Sequence, residues 1–208
     1  MSFRPLLRTL FLTVPFLLAA APASAHHVMG GRTPSTFAEG LLSGLAHPVI
    51  GPDHLAFLLA VGVVVGVGGL NLALPAVFVA AMAIGVMVHV NGIGVPDVEI
   101  IIALSVLLAG VLIAFGRALP VAIWAALFAV AGLFHGYSFG ESIFGAEAAP
   151  LGAYLIGLVA IQGLVTVGIA WVTRRMGAGI SSLAPRLAGA LVVLVGLIAL
   201  AGQFVLGA

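Results

Sequence analysis

Five long apolar segments constrain this chain more than any other feature. They cover residues 72–90, 98–116, 118–134, 151–173 and 187–206. Each is about as long as the 17 to 25 residues that an α-helix needs to cross the hydrocarbon core of a bilayer. Lipid cannot hydrogen-bond to an exposed backbone, so apolar segments of this length are expected to be helical. The sequence therefore predicts an all-α, polytopic membrane helix bundle.

Composition excludes several classes of protein. Hydrophobic residues make up 63% of the 208 residues and charged residues only 6%, against roughly a quarter charged in soluble domains. Seven arginines without any lysine on so apolar a chain do not make a nucleic-acid-binding surface. The absence of lysine and cysteine also excludes Schiff-base cofactors, iron–sulfur clusters and thiolate metal sites. We expect no permanently bound cofactor and no enzyme activity.

The first 25 residues have the pattern of a secretory signal peptide. Arg4 and Arg8 precede an apolar run at 10–21 that is too short to span a membrane, and Ala23-Ser24-Ala25 fits a small-residue cleavage site. We predict a cleavable signal peptide over 1–25, followed by one transmembrane domain over 26–208. The expected location is the cell inner membrane, within the lipid bilayer.

Residues 37–67 hold the first crossing, which polar and helix-breaking residues interrupt between His47 and His54. Arginine collects in cytoplasmic loops, so the loop with Arg174, Arg175 and Arg186 should lie inside. Counting spans back from that loop allows residues 37–67 to cross only once. We therefore predict six transmembrane helices with both mature termini periplasmic. The first is discontinuous around His47–His54, or is preceded by a surface helix near 36–46.

This topology places several ionisable side chains toward the periplasmic side, and such groups at membrane depth are candidates for function. The first group is His47, Asp53 and His54. In a straight helix the two imidazoles would be about 10.5 Å apart along the axis, which is too far for one metal ion. Pro48, Gly51 and Pro52 favour a break that could turn the two rings toward each other. Alternatively, Asp53 caps a helix and His47 lies at the membrane interface.

A second group follows the fourth span, where His135 precedes Glu141 by six residues. The alternatives are an interfacial histidine at the end of that span and a solvated loop acid. Weaker candidates for a metal pathway are His89 and Glu99, the latter being equally consistent with a first-turn acid favoured by the helix dipole. His26 and His27 would form the mature N-terminus, as a metal-capturing or simply flexible polar end.

At these motifs the chain resembles the HupE/UreJ family of nickel/cobalt permeases. The resemblance rests on four pieces of sequence: the signal peptide, the segment from His47 to His54 with the apolar run after it, Pro96-Asp97-Val98-Glu99 leading to Leu104-Ser105-Val106-Leu107-Leu108, and Phe134-His135-Gly136 through Glu141. The family's His-x5-Asp-His element corresponds to His47, Asp53 and His54. Its second motif has a further histidine before the acid, near the place where this chain has Phe139.

The resemblance implies secondary or passive uptake of Ni²⁺, or of Co²⁺, through a permease domain with His47, Asp53, His54 and His135 as metal ligands. The divalent ion would be the substrate. The sequence contains no Gly-x4-Gly-Lys-[Ser/Thr] loop, so we expect the energy to come from a gradient, the membrane potential or a partner. The oligomeric state is open, and a homo-oligomer is one alternative.

Three other classes of protein are compatible with such a chain. An intramembrane enzyme is one, although the sequence has no Gly-x-Ser-x-Gly or His-Glu-x-x-His element. A haem-binding subunit is another, with histidines of two spans as axial ligands. The third is an accessory or scaffold subunit of a larger membrane complex, which would transport nothing when expressed alone.

Overall fold

The computed structural model describes residues 32–206, and its regular elements are all helices, as the apolar segments predict. The predicted signal peptide lies outside the described residues. The helices are α1 (Phe37–Ile50), α2 (Pro52–Val67), α3 (Pro75–Val90), α4 (Val98–Ala114), α5 (Val121–Glu141), α6 (Ala148–Arg175) and α7 (Leu183–Leu206).

A sharp bend separates α1 from α2. The helix α1 begins in a capping box, in which Thr36 and Glu39 each accept the other's backbone N–H. It ends at Ile50, just after Pro48, and Gly51 is extended at φ −75° and ψ 111°. Pro52 then starts α2 at the first helical position, where its missing N–H costs nothing. The two helices meet at 78°, so the expected discontinuity lies at Gly51.

The helix α2 forms the centre of the bundle. Almost every residue from Asp53 to Gly66 is buried, which is typical of a helix that is apolar on all sides. Its main neighbours are α6, α7 and α4. The outer helices instead leave large apolar side chains exposed, such as Leu164 on α6 at 71% and Leu187 on α7 at 60%. Such exposed apolar faces suit contact with lipid.

Glycines set the close helix pairs and show their relative directions. Along α6, Gly40 of α1 lies against Pro150, Gly44 against Tyr154, and Gly62 of α2 against Thr166. The two helices α1 and α2 therefore follow α6 in the same chain direction, as one bent crossing would. Glycines bring α3 against α5 and α4 against α7 in the same way.

Most arginines lie at one end of the bundle and most carboxylates at the other. At one end, the Arg174 guanidinium donates to the Leu70 carbonyl, and Arg186 donates to the Ala114 carbonyl at 2.9 Å. We call this the arginine end; Arg117 and Arg175 also lie there. The opposite end carries five of the six carboxylates together with Arg32, and we call it the acidic end. Its carboxylates are Glu39, Asp97, Glu99, Glu141 and Glu147.

Helix length alone identifies fewer membrane crossings than the six that the sequence predicts. Three helices, α5, α6 and α7, are long and apolar enough to span a membrane, and the bent pair of α1 and α2 supplies a fourth candidate. The helices α3 and α4 have 16 and 17 residues, or about 24 to 26 Å at 1.5 Å per residue, against a hydrocarbon core of about 30 Å. Six spans therefore remains a prediction.

The expected end of the fourth span at Phe134 is wrong. The helix α5 continues to Glu141, so His135 is a fully buried residue within a helix and does not follow its end. No proline interrupts residues 135–141, and Gly136 and Gly140 pack against Met82 and His89 of α3. The last turns of α5 are packed against α3. The pattern of apolar residues contains no information about such contacts.

Because α3 and α5 are in close contact, we expect that adding one methyl group at their interface lowers the stability of the protein. A Cβ at Gly85 would lie 2.0 Å from the Leu133 carbonyl oxygen, so Gly85→Ala should lower the free energy of unfolding by about 1 to 3 kcal/mol. Gly168 on α6 has open space around it, and Gly168→Ala should be neutral or stabilising. Thermal unfolding in detergent measures both. Equal melting temperatures for the two variants would contradict the packing.

Candidate functional site

Two histidines from distant parts of the chain meet inside the bundle. The Nδ1 atoms of His54, in the first turn of α2, and His135, in α5, are 2.9 Å apart. Their ring centroids are 5.0 Å apart, and the residues are 2% and 0% exposed. The structure therefore brings together two of the four predicted ligands in a buried pair.

The hydrogen bonds of Ser105 fix which nitrogen of His135 carries the proton. The Ser105 hydroxyl donates its one hydrogen to the Ile102 carbonyl at 2.7 Å, so it can only accept from His135 Nε2, 3.0 Å away. His135 Nε2 is then protonated, and its Nδ1 is the acceptor in the bond that His54 Nδ1–H donates. The lone pair of His135 Nδ1 points at His54.

His47 stands next to this pair. Its ring centroid is 6.2 Å from that of His54, because the 78° bend brings together two residues that a straight helix would hold far apart. Gly51 lies at the bend, and a Cβ there would lie 2.6 Å from the His54 ring. A glycine is therefore needed for the ring to fold back over the break.

A small polar network holds the His47 ring. Its Nδ1 is 3.0 Å from Ser142 Oγ and 3.3 Å from the Tyr154 hydroxyl. Tyr154 also donates to the Phe139 carbonyl at 2.8 Å. Ser142 and Tyr154 are buried, so this arrangement orients one imidazole through hydroxyl groups of α6 and of the turn after α5.

Aromatic side chains enclose the three histidines. The ring of Phe139 lies 5.0 Å from His47 and 4.3 Å from His54, and the ring of Phe57 lies 4.7 Å from His135. The three imidazoles are therefore buried and packed against aromatic rings. Phe139, near the position of the family's further histidine, touches two predicted ligands directly.

Asp53 is buried beside the pair, at 8% exposure. Its Oδ1 accepts the backbone N–H of His54 at 2.9 Å, in the first turn of α2, where a carboxylate also favours the helix dipole. The helix α2 begins at Pro52 with Gly51 as its N-cap and without a side-chain cap hydrogen bond, so the helix-capping interpretation of Asp53 is wrong. Its carboxylate is a first-turn acid that lies next to the histidines.

Among residues 32–206, no group of three or more His, Cys, Asp or Glu side chains is arranged to hold a metal ion. The cluster is a hydrogen-bonded histidine pair with a third imidazole and a carboxylate nearby. Binding an ion would require these side chains to rearrange.

The other predicted residues lie away from this cluster. His89 lies in the last turn of α3 and packs on Tyr137 with 4.6 Å between centroids. Glu99 is exposed and accepts from Ser138 at 2.7 Å, while Glu141 is the exposed last residue of α5. His26 and His27 lie outside the described residues.

Sequence reasoning missed the hydroxyl groups that position the imidazoles. Ser105, Ser142 and Tyr154 have no common motif. Ser105 lies in a segment that carries the family resemblance. The remaining signal was a polar atom within or next to an apolar segment, which many membrane helices show without any such contact. Their role depends on which helices become neighbours.

The proton on His135 can be tested directly. In the wild type, ¹⁵N spectra of the side chain should show protonated Nε2 and unprotonated Nδ1. Ser105→Ala removes the acceptor of the Nε2 proton and should weaken this tautomer preference. Ser138→Ala, which affects a bond to Glu99 instead, is the control. An unchanged His135 spectrum in Ser105→Ala would contradict the assignment.

Comparison with known proteins agrees with the resemblance drawn from the motifs. The family model described as "HupE / UreJ protein" matches residues 14–199. Protein HupE of Rhizobium leguminosarum bv. viciae is 33% identical over 194 residues, which cover 92% of this chain and 97% of that protein. No solved structure matches. The chain belongs to the HupE/UreJ family.

Proposed function

We propose that this protein is an inner-membrane permease for divalent transition-metal ions, with Ni²⁺ as the first candidate and Co²⁺ as the second. The ion would be taken up passively or by secondary transport through a site made by His47, Asp53, His54 and His135. Membership in a family known for nickel and cobalt permeases supports the substrate class. The observation that carries the site is the buried contact between His54 and His135.

The chemistry of this contact suits a transition-metal ion. Imidazole nitrogen is a good ligand for nickel, copper, zinc and iron, and nickel also accepts square-planar geometry. With metal–nitrogen bonds of about 2.0 to 2.1 Å, two ligands at a right angle lie about 2.8 to 3.0 Å apart. The observed separation of the two Nδ1 atoms is 2.9 Å. An ion could therefore replace the shared proton with little movement of the nitrogens.

Replacing that proton needs a change of tautomer at His54 and a rotation of both imidazole rings, since each lone pair must turn from the other nitrogen toward the ion. His135 Nδ1 already carries a lone pair, and moving the His54 proton from Nδ1 to Nε2 makes the second one available. Asp53 supplies a negative charge in a dry environment, where an unpaired cation would be costly. His47 is a further nitrogen ligand within reach of a side-chain rearrangement.

The distribution of charged residues supports one orientation of the bundle in the membrane. Arginines prefer the cytoplasmic side, so the arginine end would face the cytoplasm and the acidic end the periplasm. In this orientation the histidine cluster lies in the periplasmic half, because His135 is six residues from the acidic end of α5. The acidic end would also attract cations to the site.

The haem alternative fits this cluster poorly. Axial nitrogens on both sides of a haem iron are about 4 Å apart, with a porphyrin between them. The His54 and His135 nitrogens are 2.9 Å apart, and aromatic rings pack around them. A scaffold role makes the opposite prediction to a permease, since a scaffold expressed alone would move no metal.

Metal accumulation in cells that lack their own nickel uptake tests the proposal. Expression of the wild type should raise cell nickel. His54→Ala and His135→Ala should each lower the uptake rate by at least about tenfold, and the double variant should be little worse, because residues that act as one unit are not additive. Membrane-inserted protein is measured in parallel on immunoblots.

The control is His26→Ala, which removes a histidine of the predicted mature N-terminus and should change uptake little. Asp53→Asn separates the two roles of that residue, since the amide can still accept from the His54 N–H but carries no charge. Normal uptake by Asp53→Asn would limit the role of this side chain to its hydrogen bond with the His54 N–H. Wild-type expression without nickel accumulation would contradict the permease.

Topology reporters test the orientation and the number of spans. A reporter fused after Ala178 should be active in the cytoplasm, and reporters after Ala146 and at the C-terminus should be active in the periplasm. A cytoplasmic C-terminus would mean an odd number of crossings after the signal peptide, against the single bent crossing of residues 37–67.

A further inference from the structure

A buried glutamine of α6 has no role in the histidine cluster. Gln162 is 0% exposed, and the described residues offer no hydrogen-bond partner to either its Oε1 or its Nε2. Buried polar atoms are nearly always hydrogen-bonded, and leaving an amide unpaired is costly. An amide left in this state inside a membrane bundle therefore needs an explanation.

Gln162 lies on the same face of α6 as the hydroxyl group that holds His47. Residues spaced by four share one side of a helix, and this face is completely buried at Tyr154, Leu158, Gln162, Thr166 and Ala170. Tyr154 contacts His47 at one end of this face. Gln162 follows eight residues later, about 12 Å farther along the axis toward the arginine end.

The contacts of α1 and α2 with α6 lie on either side of this position. Gly44 of α1 approaches α6 at Tyr154 and Leu158, and Gly62 of α2 approaches it at Thr166. Gln162 lies between these two contacts, where α6 passes from one helix of the broken crossing to the other. Broken helices at membrane depth commonly line substrate paths.

The neighbouring polar residue on this face behaves differently. The Thr166 hydroxyl donates to the Gln162 carbonyl at 2.6 Å, so its own helix satisfies it, as is common for threonine in membrane helices. The longer glutamine amide has no such bond. A hydrogen bond within α6 thus explains how the Thr166 hydroxyl can be buried. No such bond explains the burial of the Gln162 amide.

We propose that the Gln162 amide is a second binding position for the transported divalent cation, on the cytoplasmic side of the histidine pair. This inference rests on the proposed function. The amide oxygen would coordinate the ion, or a water that the ion carries, after it leaves His54 and His135. A neutral oxygen binds a transition-metal ion more weakly than imidazole does, so it suits a position from which the ion must be released.

The experiment uses purified full-length protein in liposomes and radioactive nickel as the probe. Gln162→Met keeps the length of the side chain and removes both unpaired atoms. We expect its melting temperature to equal or exceed that of the wild type, and its equilibrium nickel affinity to stay within about twofold, because the histidines are intact. The rate of nickel uptake should fall at least about tenfold. Gln203→Met, near the end of α7, is the matched control and should transport normally.

Two results would overturn the inference and leave the permease intact. One is uptake by Gln162→Met at the wild-type rate. The other is a variant that melts at a lower temperature, or fails to fold, with uptake lost in proportion, since this would make the amide a structural group. A wild-type protein that moves no nickel in liposomes would contradict the proposed function itself.

Discussion

The break between α1 and α2 is the constraint on which the candidate site depends. Pro52 has no backbone N–H and its ring cannot follow the preceding turn of a continuous helix, so α1 ends at Ile50 and the chain turns by 78° before α2. This turn brings His47 and His54 to a common region, and the bare Gly51 leaves room for the His54 ring. In a straight helix, His54 could not contact His135 of α5 while His47 contacts Tyr154 of α6.

Close packing by glycine is the second requirement. Membrane helices gain little from hydrophobic burial against one another, so small residues that let backbones approach are especially valuable. Glycines at the α1–α6, α3–α5 and α4–α7 contacts serve this role. They also fix the register of α5 against α3, which sets the depth of His135. The histidine pair is therefore a consequence of packing along whole helices.

The candidate site combines satisfied and unsatisfied polar groups. Hydroxyl groups of Ser105, Ser142 and Tyr154 orient two imidazoles, while the His54–His135 contact holds a proton that a metal ion could replace. Deeper in the bundle, Gln162 has no described partner. In the permease that we propose, the ion has to be bound and then released, and strong nitrogen ligands followed by a weak oxygen ligand would suit that task.

The sequence by itself determined the helical class, the apolar segments and the break at residues 47–54, because hydrophobic length and proline act locally. It also pointed to His47, Asp53, His54 and His135 as candidate site residues through their chemistry. It placed the end of α5 incorrectly, since helix packing and not apolar character carries that helix to Glu141. Only the tertiary structure decided that His135 faces His54, that Ser105 orients it, and that Gln162 is buried unpaired. These facts depend on which distant helices become neighbours, and no local pattern of residues encodes that choice.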